Sequence, residues 1–195
     1  MVKKLVLGAV LGGLVVFLWG FLSWVVLPWH QTTLLSFRDE VAVAKVVQAN
    51  APNAGMYLLL PYRWDTAALE QQGIPKGLML FGSVRLESPD MPRYYLRGLG
   101  LEMLAALLVT WLLLMLPTMT YANRVKVVVL TAVIAGAMCR LTDWNWWSVS
   151  TGFTFLAIVD LVIGWAFAGL VIAKVVGDRR TSSYVSDTVG AGRSV

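Results

Sequence analysis

Glu102, Arg140 and Asp160 each stand within or at the margin of a long apolar stretch. An ionisable side chain inside a membrane span is costly, so it marks a partnered or functional position. Counted at 1.5 Å per residue, Glu102 lies about 6 Å and Asp160 about 10 Å from the same edge of their stretches. Arg140 lies close to that edge on a third stretch. This shared depth predicts a polar layer in which Arg140 pairs with Asp160, Glu102 or both. Such a layer fixes helix register or serves a proton or ion relay. In the alternative, Glu102 and Arg140 snorkel to the interface and leave Asp160 alone.

Helical spacing sharpens the picture, because residues three or four apart share a face. One face carries Glu102, Ala106 and Thr110, a second Ala132, Gly136 and Arg140, and a third Ala157, Asp160, Gly164 and Ala168. A fourth carries Gly13, Val16, Gly20 and Ser23. Small residues at this spacing let membrane helices approach closely. Gly13, Gly20, Gly136 and Gly164 are therefore the expected packing positions, with Gly8 and Gly12 a weaker pair.

Other chemistries find little support. One histidine, His30, and one cysteine, Cys139, exclude an internal disulfide, a dithiol pair and an imidazole cluster. No metal site, catalytic residue or cofactor is expected. No phosphate loop, nucleophile elbow, zinc-protease or dinucleotide pattern occurs. His30, in Leu27-Pro28-Trp29-His30, reads as an interfacial residue without a catalytic partner, and Cys139 as a small packing residue.

The elements that must position these residues follow from composition. Of 195 residues 58% are hydrophobic and 14% charged, and the mean hydropathy is +0.70. A soluble domain carries roughly 45–50% apolar and about 25% charged residues. A chain this short cannot hide the excess in a core, so lipid is the expected covering. The formal charge is +5, but the basic residues are scattered, which argues against nucleic acid as a partner.

A span needs about 20 apolar residues. The expected fold is mainly α: an integral membrane four-helix bundle with a small extracytoplasmic α+β insertion between helices 1 and 2. Residues 1–27 read as a signal-anchor helix, 98–116, 125–142 and 153–176 as three further spans, 28–97 as the insertion and 177–195 as a disordered tail. Within the insertion, Ser36 is expected to cap a helix to about Asn50. Strands are expected over 56–60 and 78–87, and a helical turn over 65–72 ends at Gly73.

Lys3, Lys4, Arg124, Lys126, Lys174, Arg179 and Arg180 on one side, against Arg38, Arg93, Arg97 and Arg140 on the other, favour cytoplasmic termini. Trp24, Trp29, Tyr94, Tyr95, Trp144, Trp146 and Trp147 collect at the opposite boundary as interfacial anchors. A bacterial inner membrane suits the two lysines after Met1 and the cysteine-free insertion. The expected partners are the bilayer and other membrane or extracytoplasmic proteins, with a homo-oligomer a further candidate.

Three functions compete. A non-enzymatic scaffold, assembly factor or small subunit of a membrane complex suits the pattern best. A small proton- or ion-coupled transporter or channel component would use the Glu102–Arg140–Asp160 layer. Against it, no span is broken near its midpoint, Pro117 lies at the end of its span and no inverted repeat is visible. An intramembrane enzyme acting on lipid or quinone comes third, since it lacks a paired nucleophile or metal set.

Overall fold

The computed structural model describes residues 1–59, 66–75, 78–116 and 119–177. The expectations placed on Leu60, Asp65, Pro117, Arg179, Arg180 and the tail from 178 lie outside the described residues. The chain is mainly helical and divides into two compact units, Met1–Leu34 with Met91–Val195, and Leu35–Asp90.

In the first unit four helices are long and apolar enough to cross a membrane: Val2–Val26, Met91–Met115, Tyr121–Trp146 and Thr151–Val176. Their mean hydropathies are 2.5, 2.0, 1.8 and 2.4. Helix α1 (Val2–Phe21) runs on into a wide turn over Leu22–Val26. There the Leu27 amide donates to Leu22 O at 3.0 Å, five residues back instead of four. Leu27 is extended (φ −84°, ψ 131°), as the residue before Pro28 must be, and the helix stops there.

The segments joined to the bundle by sequence, α4 (Met91–Met115), α5 (Tyr121–Gly136), α6 (Thr142–Trp146) and α7 (Thr151–Val176), make up the rest of this unit. Helix α4 starts seven residues before the expected 98, which places Arg93, Tyr94, Tyr95 and Arg97 in its first two turns. Helix α5 starts at Tyr121 rather than 125, where Thr120 accepts from the Asn123 amide at 3.3 Å. It passes through a second wide turn, Ala137–Leu141, directly into α6. Helix α7 starts at Thr151 rather than 153, where Ser150 accepts from the Phe153 amide at 3.3 Å. It ends at Gly177, whose φ of +67° suits glycine at a helix stop.

Helix α1 packs mainly against α4 and α7, and α7 against α1 and α5, while α4 and α5 barely touch. The α1 face is glycine because the approach is close. A Cβ at Gly13 would stand 2.6 Å from the backbone of Met103, and one at Gly12 2.6 Å from Ile172 Cδ1. Gly8 meets the side chain of Thr110 in the same way. The weaker Gly8–Gly12 pair thus lies against α4 and α7 as Gly13 lies against α4. Gly136 meets Ile158 at 3.3 Å. Gly20 departs from the expectation, since a methyl there would meet nothing within 4 Å. Below these contacts Val16, Ala106, Leu113, Val128, Ala168 and Ile172 form an apolar core.

The second unit holds α2 (Glu40–Asn50), β1 (Gly55–Leu59), α3 (Thr66–Gln71) and β2 (Leu80–Val84). The strands pair antiparallel, Gly55 opposite Val84 and Leu59 opposite Leu80. The cap of α2 is Asp39, not Ser36: its Oδ1 accepts from the Ala42 amide at 2.8 Å, and an acid there also meets the positive helix end. The second strand covers five of the expected ten residues, 80–84 of 78–87. Gly73, at φ +74°, follows α3 as expected. Helix α2 buries no residue fully. Its Val43, Val46 and Val47 line an apolar groove of about 390 Å³ together with Phe37, Leu59 and Leu80.

Gly13→Ala drives a methyl into the α4 backbone and is expected to cost about 1–3 kcal/mol. Gly20→Ala is expected to stay within about 0.5 kcal/mol. Thermal unfolding of the purified chain in mild detergent, followed by helical circular dichroism, checks both.

Candidate functional site

The site begins with a hook. After Pro28 the chain turns back on itself, with Gln31 N donating to Pro28 O at 3.2 Å and Thr33 N to His30 O at 3.1 Å. Two hydroxyls brace the turn, Thr32 Oγ1 to Trp29 O at 2.7 Å and Thr33 Oγ1 to His30 O at 2.8 Å. The hook folds His30 inward over the end of α1, where it is 1% exposed. Its ring stacks on Trp24, with centroids 3.9 Å apart and planes 6° from parallel.

His30 Nε2 stands 3.0 Å from Ser23 Oγ and 3.2 Å from Asp160 Oδ2. Asp160 Oδ1 accepts from Trp19 Nε1 at 2.7 Å. Trp29 Nε1 donates to Ser23 Oγ at 3.0 Å and to Ser23 O at 3.1 Å. This connected set joins α1, the hook and α7. Gly164, one turn beyond Asp160 on the same face, makes room for the donor: a Cβ there would stand 2.6 Å from Trp19 Cδ1. The Asp160–Gly164 spacing therefore serves the indole as well as the helix approach.

Proton accounting limits what the set can do. Both Ser23 and Asp160 meet the same ring nitrogen. With Asp160 ionised, both contacts are favourable when the proton sits on Nε2, donated to the carboxylate and shared with Ser23 Oγ. A nucleophile relay needs the hydroxyl and the carboxylate on opposite ring nitrogens, so that one takes a proton while the other orients the ring. Here Nδ1 is buried without a partner among the described residues. Ser23 is fully buried and already accepts from Trp29. The geometry ties the helices and does not activate the serine.

Beside this set lies a cavity of about 230 Å³, lined by Trp19, Trp24, His30, Glu102, Arg140 and Asp160, with Gly20 and Gly164 leaving it room. The three ionisable residues singled out by sequence thus border one space. They do not meet: among the described residues no ion pair within 4 Å joins Arg140 to Glu102 or Asp160. The carboxylate of Asp160 pairs with His30 instead.

No family model, curated protein or solved structure matches this chain.

His30, expected as an interfacial residue without a catalytic partner, is buried and bonded to Ser23 and Asp160. Its partner Asp160 lies 130 residues away, and nothing local announces the contact. A signal was present in Pro28 and the aromatic pair around it, which force a turn at the end of an apolar helix. Trp24 and Trp29, expected as anchors, also take part in the tertiary set. Trp144 donates from Nε1 to Thr151 Oγ1 at 3.1 Å, linking α6 to α7, and Trp146, Tyr94 and Tyr95 are exposed. Cys139 is exposed rather than packed.

Asp160→Ala removes the carboxylate that Trp19 and His30 share, while the indole keeps Asp160 O at 3.1 Å and the imidazole keeps Ser23 Oγ at 3.0 Å. The expected cost is about 1.5–3 kcal/mol, the worth of a hydrogen bond to a charged group. Arg140→Ala, which removes no bond to the described residues, is expected to change stability by less than about 0.5 kcal/mol. Melting temperatures of the two variants in the same detergent separate the tie from the lining.

Proposed function

We propose that the chain is a non-enzymatic multi-pass membrane protein that serves as a scaffold, assembly factor or small subunit of a membrane complex. It lies in the inner membrane of a bacterial cell with both termini cytoplasmic and residues 35–90 on the opposite side. The observation that carries this reading is the apolar stretch between the two polar ends of the bundle. Ser23, His30 and Asp160 gather at one end of the bundle and Arg124 is buried at the other, whereas Leu113, Val128, Ala168 and Ile172 fill the stretch between with apolar side chains. Thr110, the polar residue among them, spends its hydroxyl on Ala106 O of its own helix at 2.6 Å. A relay across a membrane needs ionisable or hydrated groups along its path, and this core supplies a seal.

Orientation is supported by Lys3, Lys4, Arg124, Lys126 and Lys174 at one set of helix ends, against Arg93, Arg97 and Arg140 at the other. The apolar groove beside α2 supports a protein partner for the insertion, because a unit with so thin a core gains by further burial.

A second reading, a proton- or ion-coupled transport component, draws on the cavity that Glu102, Arg140 and Asp160 share. Reconstitution into liposomes holding a pH-sensitive dye divides the two. The scaffold reading expects flux equal to that of empty vesicles, and a stoichiometric partner in native mass spectrometry after gentle extraction. Proton flux that vanishes in Asp160→Asn installs the transport reading in its place. A chain that alkaline carbonate washes from membranes would sink both.

A further inference from the structure

Glu102 on α4 and Arg140 in the wide turn after α5 line the same cavity, and among the described residues neither has a hydrogen-bond or ion-pair partner. Asp160 borders it too, but its carboxylate is already supplied by Trp19 and His30. One acceptor-only group and one donor-only group thus face a shared space without meeting. We propose that this cavity binds a small zwitterion carrying a primary ammonium and a phosphate, the chemistry of an aminophospholipid headgroup or of its free phosphoamine.

Each part of the ligand follows from a part of the lining. Guanidinium presents a planar fork of donors that matches phosphate oxygens. Glu102 accepts from the N–H groups of a primary ammonium, which a quaternary ammonium lacks. Trp19 and Trp24 add aromatic surface, which attracts cations. A purely anionic group is disfavoured by two carboxylates against one guanidinium. Size agrees: 230 Å³ holds roughly seven waters at ~30 Å³ each, below the ~300–1,000 Å³ of drug-sized pockets. A headgroup enters such a space, and a whole lipid does not. The acyl chains have a way out, because Glu102 is on α4 and Arg140 follows α5, and these two helices barely touch.

The lipid form of this proposal rests on the membrane reading above. The test uses the full chain in nanodiscs of equal parts phosphatidylethanolamine, phosphatidylcholine and phosphatidylglycerol, with retained lipid identified by native mass spectrometry. In a second arm, O-phosphoethanolamine is added to the lipid-free chain in detergent and the melting temperature recorded. Retention of the ethanolamine lipid about tenfold over the other two is expected, and Glu102→Gln and Arg140→Gln each lose it by about tenfold, as one charged contact is worth. Ala157→Leu, which fills the cavity wall without touching a charge, is expected to lose it as well. A melting shift with O-phosphoethanolamine and no lipid preference assigns the site to the free compound. Equal retention of all three lipids with no melting shift overturns the proposal, as does retention unchanged in both charge variants. A chain that does not enter nanodiscs fails the membrane reading, and the detergent arm then decides the site alone.

Discussion

Helix α1 approaches α4 so closely that a side chain at Gly13 would meet the backbone of Met103, and the polar end of the bundle depends on that approach. Apolar helices surrounded by lipid gain little from burying one another's apolar surface, because the alternative neighbour is equally apolar. What holds them is dense contact and hydrogen bonding. The glycines of α1 give the first, Gly13 against the backbone of Met103 and Gly8 and Gly12 against the side chains of Thr110 and Ile172. The resulting register brings Trp19 level with Asp160 and Gly164, and so makes the second possible. A larger residue at Gly13 would displace the indole, six residues along the same helix, from its acceptor.

The bonds at Asp160 are what make that register specific. Close packing of small residues tolerates sliding, since one methyl-sized gap resembles the next. A carboxylate with two donors of defined origin, one from α1 and one from the hook, does not. Buried polar groups stabilise little by themselves and lose much when one partner is removed, which is the condition for selecting one arrangement. Ser23 extends the selection to Trp29, so the hook and the helix it leaves are fixed together.

Much of the fold was legible because its signals are local. Apolar length marks the four long helices, and the spacing of Ala106 with Thr110, and of Asp160, Gly164 and Ala168, marks the faces that are buried. The errors have local physical causes too. Helix α4 continues back to Met91 because Arg93, Tyr94, Tyr95 and Arg97 are acceptable helix formers, although hydropathy ends near 98. Asp39 replaces Ser36 as a cap because a carboxylate offers charge as well as an acceptor. The site was legible only in half. Its ionisable lining stands out against apolar sequence, whereas the pairing of His30 with Asp160 is a property of the assembled bundle.

Arg140 shows why shared depth did not become shared pairing. Counted at 3.6 residues per turn it lies on the face of Ala132 and Gly136, both of which are buried. The wide turn over Ala137–Leu141 holds more residues than an α-helical turn, so residues within it rotate off that face, by up to about 100° for one added residue. Arg140 is accordingly exposed and borders the cavity without pointing a bond at Asp160. Meanwhile Trp19 and His30 occupy that carboxylate. The wide turn at Leu22–Val26 stands on the other side of the same cavity and carries Trp24 into its lining. Two irregular turns thus separate the charge that ties the helices from the charges that border open space. A bundle built solely for register gains nothing from that separation, because pairing Arg140 with Glu102 would satisfy both. Held apart, the two complementary groups both face the cavity.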